Sequence, residues 1–270
     1  MPFSEDTLTR LKADAAEITG RYPQARSALL PLLYLVQAEE GYVSDEGMAF
    51  CAEVLGITQT EVRGVATFYT MYKHEPAAEY QVGVCTNTTC AIMGGDQIWS
   101  ELAEHMGGDP RNDGHHDIKS PDGKVAIERL ECNAACDYAP VVMVNWEFFD
   151  NQTPQSAKQL VDDLRAGQDV RPVRGPSRLC TWKQANRILA GFGDGQATDG
   201  PSAGHASLVG LKLAKERGWK APAADSGSAE SRGHEKSQEI SAAEKRSDPP
   251  QHGAAGGSVA SSPRDSKESS

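Results

Sequence analysis

Four of the six cysteines in this 270-residue chain fall into two close pairs. The first is Cys85-Thr-Asn-Thr-Thr-Cys90, the second is Cys132-Asn-Ala-Ala-Cys136, and 41 residues separate them. Four thiolates are the donor set that two tetrahedral irons need when two sulfides bridge them, two cysteines to each iron. Tetrahedral sulfur suits a structural zinc ion equally well, although zinc sites more often use a C-x2-C spacing that neither pair has. Dithiol redox chemistry is a third use of paired cysteines, weakened here because no C-x-x-C motif occurs. Spacing alone favours a [2Fe–2S] cluster and leaves zinc and dithiol chemistry open.

Other reactive side chains carry less. Cys51 lies beside Met48, Ala52 and Leu55 on the apolar face of a helix and reads as a small core residue. Cys180 stands outside both pairs and reads as a packed or interfacial thiol. His105, His115 and His116 flank or occupy a polar insert, Gly107–Lys124, where a solvated loop is a simpler reading than a metal site. Glu131 and Asp137 border the second pair and read as charges that tune or hold its loop. No glycine-rich phosphate loop precedes a helix, so NADH and flavin are not expected to bind through a nucleotide motif of this chain.

The elements that must position the cysteines begin at residue 78. Tyr80, Val82 and Val84 alternate with Gln81, Gly83 and Cys85 as in a strand. A helical segment follows, with Ile92, Trp99, Leu102 and Met106 along one side. Val125–Leu130 and Val141–Val144 read as strands, and Glu147–Asp150 as a hairpin partner across Asn145 and Trp146. Thr153 and Pro154 cap a closing helix that ends at Gly167. The loops bearing the two pairs then lie at one end of the sheet. The helix after Cys85–Cys90 would favour anionic sulfur at its N-terminus. Strand, helix, strands, helix over 78–170 is a compact α/β or α+β domain.

Residues 1–77 read as a small helical bundle. Leu8, Leu11, Ala15 and Ile18 recur at helical spacing, and Gly20 ends that run. Ala28–Gln37 is an apolar helix that tolerates Pro31 in its first turns, and Asp45–Leu55 is a third helix closed by Gly56. Thr58 and Glu61 make a capping box for a fourth.

Residues 171–220 form an extension. Its start, Arg171–Leu179, is basic and proline-punctuated like an extended arm. Two amphipathic segments follow, one with Trp182, Ala185, Ile188 and Leu189, the other with Leu208, Leu211, Ala214 and Trp219. Each is about ten residues, too short to be a stable isolated helix, so each needs a surface. That surface is either this chain's own domain or a partner's, and a partner-docking role is the one expected for this region. Residues 221–270 are dominated by Ala, Gly, Ser and Pro, lack aromatic residues and read as a disordered tail.

The net charge of −11 and pI of about 5.1 argue against nucleic acid and anionic membrane surfaces as direct partners. The longest apolar stretch, Ala28–Val36, contains Pro31 and is far shorter than the ~20 residues of a spanning helix. The N-terminus lacks the basic and apolar regions of a signal peptide. A soluble protein of a reducing compartment is expected, where cysteines point to metal or redox chemistry.

The runs Val84-Cys-Thr-Asn-Thr-Thr-Cys90 and Glu131-Cys-Asn-Ala-Ala-Cys-Asp-Tyr-Ala-Pro140, followed by Val-Val-Met-Val-Asn145, closely resemble one family. It is the thioredoxin-like [2Fe–2S] ferredoxin family, which includes the E subunit of NADH-quinone oxidoreductase, respiratory complex I. The run Gly64-Val-Ala-Thr-Phe-Tyr-Thr-Met-Tyr72 is similar to that family's helical N-terminal part. The resemblance implies an α+β chain, a helical bundle followed by a thioredoxin-like domain. It implies Cys85, Cys90, Cys132 and Cys136 as the ligands of one [2Fe–2S] cluster. Family members usually read Leu-Gly-Ala between the last two ligands, where this chain has Asn133, Ala134 and Ala135. The implied function is single-electron exchange with a flavin, FMN and NADH being bound by a partner flavoprotein rather than by this chain. Further implied neighbours are the iron–sulfur subunits of the peripheral arm, at the cytoplasmic side of the cell membrane. Diaphorase subunits of NAD-linked hydrogenases and formate dehydrogenases share the motifs and form the alternative. A zinc-stabilised interaction module is the alternative of another class.

Overall fold

A computed structural model describes residues 3–111, 117–196, 199–201 and 203–220. His115, His116 and the 221–270 tail lie outside the described residues.

Local signals set the first four helices: α1 Glu5–Thr19, α2 Leu29–Glu40, α3 Asp45–Leu55 and α4 Gln59–Phe68. Ser4 and Ser44 accept first-turn amides at the starts of α1 and α3, and Thr58 with Glu61 forms the capping box of α4. Gly41 and Gly56 close α2 and α3 in the left-handed conformation. Leu11, Ile18, Leu32, Leu33, Val36, Met48 and Val62 form the bundle's core, and Cys51 is buried among them.

The second part is a five-stranded sheet: β1 Tyr80–Cys85, β2 Ile118–Lys119, β3 Val125–Leu130, β4 Val142–Val144 and β5 Glu147–Phe149. The spatial order is β2-β3-β1-β4-β5. Only β1 and β3 run parallel, with Cys85 opposite Leu130, while β4 and β5 form an antiparallel hairpin beside β1. Asn145 and Trp146, both at positive φ, make that hairpin's two-residue turn. Helices α5 Thr88–Ile92 and α6 Gly95–His105 connect β1 to β2, and α7 Pro154–Ala166 follows β5. Trp99 and Leu102 of α6 and Val161 and Leu164 of α7 share a core with Val82, Val84, Ile127 and Val142.

Three expectations need correction here. The segment after Cys90 is two helices, not one: the chain breaks at Met93 and Gly94, and Ile92 is 80% exposed instead of facing the core. The polar insert is not all loop, because Ile118 and Lys119 pair with β3. The third correction lies in the extension.

Its first amphipathic segment, α8 Trp182–Leu189, does not await a partner but lies on the chain's own bundle. Trp182, Ala185 and Asn186 are buried. Gln37 of α2 donates to Asn186 (2.7 Å), and the Trp182 indole donates to the Gly41 carbonyl (3.0 Å). The prolines before α8 do not detach it, because the arm runs extended along the sheet edge. There Val173 donates to the Phe148 carbonyl at 2.9 Å, and Arg174 bridges to Phe148. Pro172 and Pro176 are compatible with pairing at an edge strand, where not every residue needs a backbone donor. The other segment, α9 His205–Glu216, has no buried residue.

Candidate metal centre

Parallel pairing does the first part of positioning. Because β1 and β3 run the same way, their C-terminal ends meet at one end of the sheet. Cys85 is the last residue of β1, and Cys132 lies two positions beyond the end of β3. The Cys85 amide donates to the Val141 carbonyl and the Thr86 amide to the Leu130 carbonyl, fixing the first turn of the loop. Cys90 sits on the one-turn helix α5, which is shorter than the helix expected there. Gly95 starts α6 directly against this loop: a Cβ there would lie 2.5 Å from the Cys85 carbonyl oxygen. Only a residue without a side chain permits that approach. The Gly94-Gly95 pair inside an otherwise apolar-periodic run is the sequence signal for it.

Cys85, Cys90, Cys132 and Cys136 all line one cavity of 170 Å³, together with Asn87, Thr88 and Thr89. Cys85 and Cys90 are buried, whereas Cys132 and Cys136 are exposed. The Cys132 and Cys136 sulfurs stand 3.8 Å apart. Ala134 lies between them at φ +53°, and its amide donates to the Cys132 sulfur at 3.4 Å. The two loops are joined by Asn87, whose amide donates to Glu131 at 2.6 Å.

Two of the thiols, Cys90 and Cys136, are held in a way that disfavours charge on them. Burial, and then the neighbouring Cys85 and Cys136, push the Cys90 thiol up to about 11. The hydrogen bond with Cys132 pushes Cys136 up as well. Metal binding overcomes such shifts, because a thiol that coordinates a cation gives up its proton. The Asn133 side-chain nitrogen is buried without an acceptor among the described residues, a donor of the kind anionic sulfur accepts. The donor set fits an iron–sulfur centre.

The other candidates fall elsewhere. Cys51 is fully buried in the bundle and its thiol is pushed up to about 12 by that burial. Cys180 is buried beside α8. His105 pairs with Asp162 at 2.8 Å. A larger cavity of 430 Å³ lies away from the cysteines, beside Lys73, Asp117 and Glu128. Lys73 is already engaged there, donating to Asp117 (3.1 Å) and Glu128 (2.8 Å). Burial raises Glu128 above the usual carboxylate range, and the Lys73 ammonium partly offsets it. Two contacts escape sequence reasoning altogether: Ser207 donates to Asp137, and the Ala206 amide donates to the Tyr138 hydroxyl.

Fold and donor set fit one class of protein, the iron–sulfur ferredoxins. The model of the thioredoxin-like [2Fe-2S] ferredoxin family matches residues 15–165, and the chain belongs to that family. Within it, the chain is 53% identical over 221 residues to the E subunit of the NADH-quinone oxidoreductase of Mycobacterium tuberculosis, spanning 82% of this chain and 85% of that one. The NADH-quinone oxidoreductase subunit 2 of Thermus thermophilus is 34% identical over 171 residues, or 62% of this chain and 91% of that one. A solved NAD+-reducing [NiFe]-hydrogenase in the air-oxidized state overlaps at a TM-score of 0.43 with 16% identity, covering 50% of this chain and 23% of that one.

Proposed function

We infer that this chain is the electron-transfer subunit of an NADH-quinone oxidoreductase. Cys85, Cys90, Cys132 and Cys136 are its cluster ligands. The observation that carries this reading is the meeting of all four thiols on one 170 Å³ cavity at the end of the β1–β3 pair. The family membership supports a [2Fe–2S] cluster as the occupant. When bound, that cluster supplies reversible one-electron capacity. Buried Cys85 and Cys90 and exposed Cys132 and Cys136 would hold it. The Ala134 amide donates to a ligand sulfur, a contact that tunes the potential of such centres.

The partner that follows from this reading is a flavoprotein subunit holding FMN and NADH, with iron–sulfur subunits of a peripheral arm beyond it. The chain alone does not oxidise NADH. Among the described residues no helix is long and apolar enough to cross a membrane, which agrees with a peripheral place in a membrane complex. The cytoplasmic side is the side we assign.

The test is anaerobic purification with iron, sulfide and zinc analysis. About two irons and two sulfides per chain are expected, with a spin-half signal on reduction. Stoichiometric zinc overturns the reading. Serine at any one of the four ligand positions impairs assembly, while Cys51→Ser and Cys180→Ser leave the cluster in place; a normal cluster in Cys132→Ser overturns that ligand.

A further inference from the structure

We propose that the C-terminal extension is a positioning element of the metal centre, with Ser207 and Ala206 holding the second ligand loop through Asp137 and Tyr138. The inference rests on reading Cys136 as a ligand. Asp137 and Tyr138 are the two residues that follow it, in a short 3-10 turn, Cys136–Tyr138.

Both are gripped by residues from 171–207. The Ser207 hydroxyl donates to the Asp137 carboxylate. The Ala206 amide, in the first turn of α9, donates to the Tyr138 hydroxyl oxygen at 2.9 Å. First-turn amides have no partner inside their own helix, so this contact satisfies both groups. Gly204 lies so close to the same hydroxyl that a Cβ would stand 2.2 Å from it. The Arg174 guanidinium lies over the ring of the same tyrosine, 5.7 Å from its centroid, and 4.2 Å from the centroid of Phe148. Arg174 is itself anchored on buried Asp150 at 2.9 Å. Tyr138 is thus held between two points of the extension, and the Gly175 amide ties those points together by donating to the Pro201 carbonyl at 3.1 Å.

This arrangement has two effects on a centre held by Cys136. It restrains the backbone that aims the Cys136 sulfur. It also draws charge density on Asp137 toward Ser207, away from the adjacent ligand. Removing the hydroxyl leaves a fuller negative charge beside the centre, which disfavours an added electron and lowers its potential.

The experiment uses the full chain with its cluster, comparing wild type, Ser207→Ala, Tyr138→Phe, Ser207→Thr and, as a control elsewhere on α9, Leu208→Ser. Iron and sulfide content is measured first; loss of the expected two-iron content in wild type overturns the ligand reading rather than the tether. The readouts are the midpoint potential, the visible circular dichroism of the cluster and the rate of iron loss to a chelator. Ser207→Ala is expected to lower the potential, alter the dichroism and speed iron loss roughly fivefold, the effect of one net hydrogen bond. Tyr138→Phe speeds the loss similarly, Ser207→Thr restores wild-type values, and Leu208→Ser matches wild type. Unchanged potential, dichroism and iron loss in both Ser207→Ala and Tyr138→Phe overturn the proposal, as does a Leu208→Ser protein that behaves like them.

Discussion

Asn87 and Glu131 join the two cysteine loops, the side-chain amide of one donating to the carboxylate of the other at 2.6 Å. One stands two residues after Cys85 and the other one residue before Cys132, so this side-chain contact helps to set the gap between the two loops. Asn87→Ala is expected to cost about 1 kcal/mol. Asn87→Asp costs more, because it sets two carboxylates against each other. Chemical unfolding of the metal-free chain checks the order: wild type, then Ala, then Asp. Equal midpoints for all three would falsify the bridging role.

Ala134 occupies the left-handed region at φ +53°, where a Cβ costs roughly 1–2 kcal/mol relative to glycine. Ala134→Gly therefore raises the stability of the metal-free chain, offset in part by the extra freedom glycine gives the unfolded state. Ala134→Val lowers stability and cluster content, since a branched side chain fits that conformation worst. Melting curves and iron analysis of the pair read both directions, and a Gly variant less stable than Ala refutes the account.

Trp182 is fully buried and lies tilted against Trp146, with ring centroids 5.9 Å apart. Trp182→Ala is expected to destabilise the chain by about 3–5 kcal/mol, the range for truncating a large core side chain. If α8 were a free docking arm, the same change would weaken partner binding and spare stability. Urea unfolding of the isolated subunit separates the two, and an unchanged midpoint would return α8 to the role of an arm.

The buried thiols tie the stability of the metal-free chain to alkaline pH. Burial holds Cys51 up to about 12 and Cys90 up to about 11, against an ordinary thiol value of 9.0. Once the pH passes the ordinary value, the unfolded chain gives up these protons while the folded chain keeps them. The stability they contribute is complete below about pH 8.5 and drains away as pH rises toward the folded values. Urea midpoints are expected to fall across that window, and to fall less steeply in Cys51→Ala. A Cys51→Ala slope identical to wild type would remove this thiol from the explanation.

Much of this fold announces itself in short-range signals. Helices α3 and α7 run from Asp45 to Leu55 and from Pro154 to Ala166, as their flanking Gly56, Thr153 and Gly167 indicate. Strand β3 runs over Val125–Leu130, as its pattern implies. Those signals lie within a few residues of what they control. The break before α6 does not: Gly94 and Gly95 are needed because the helix must abut the Cys85 carbonyl, a requirement set by the folded loop. Strand β2 is two residues held by β3, too short for any periodicity. An apolar stripe such as that of α8 states that a cover is needed and not which one. At the site, the four thiols are legible from spacing and resemblance. The clasps at Asn87–Glu131 and Ser207–Asp137 join residues 44 and 70 positions apart, and neither leaves a pattern in the string.

The buried bond from Gln37 to Asn186 crosses 149 positions of chain. During vectorial synthesis, α2 emerges long before the helix that will cover it. At the ~5–20 residues per second of a ribosome, the wait is on the order of ten seconds. Through that interval the nascent bundle carries an uncovered seam, and Gln37 lacks the side-chain partner that completes it. Closure of the N-terminal half is thereby scheduled by translation of the C-terminal extension, so a message truncated before Trp182 yields a client for chaperones.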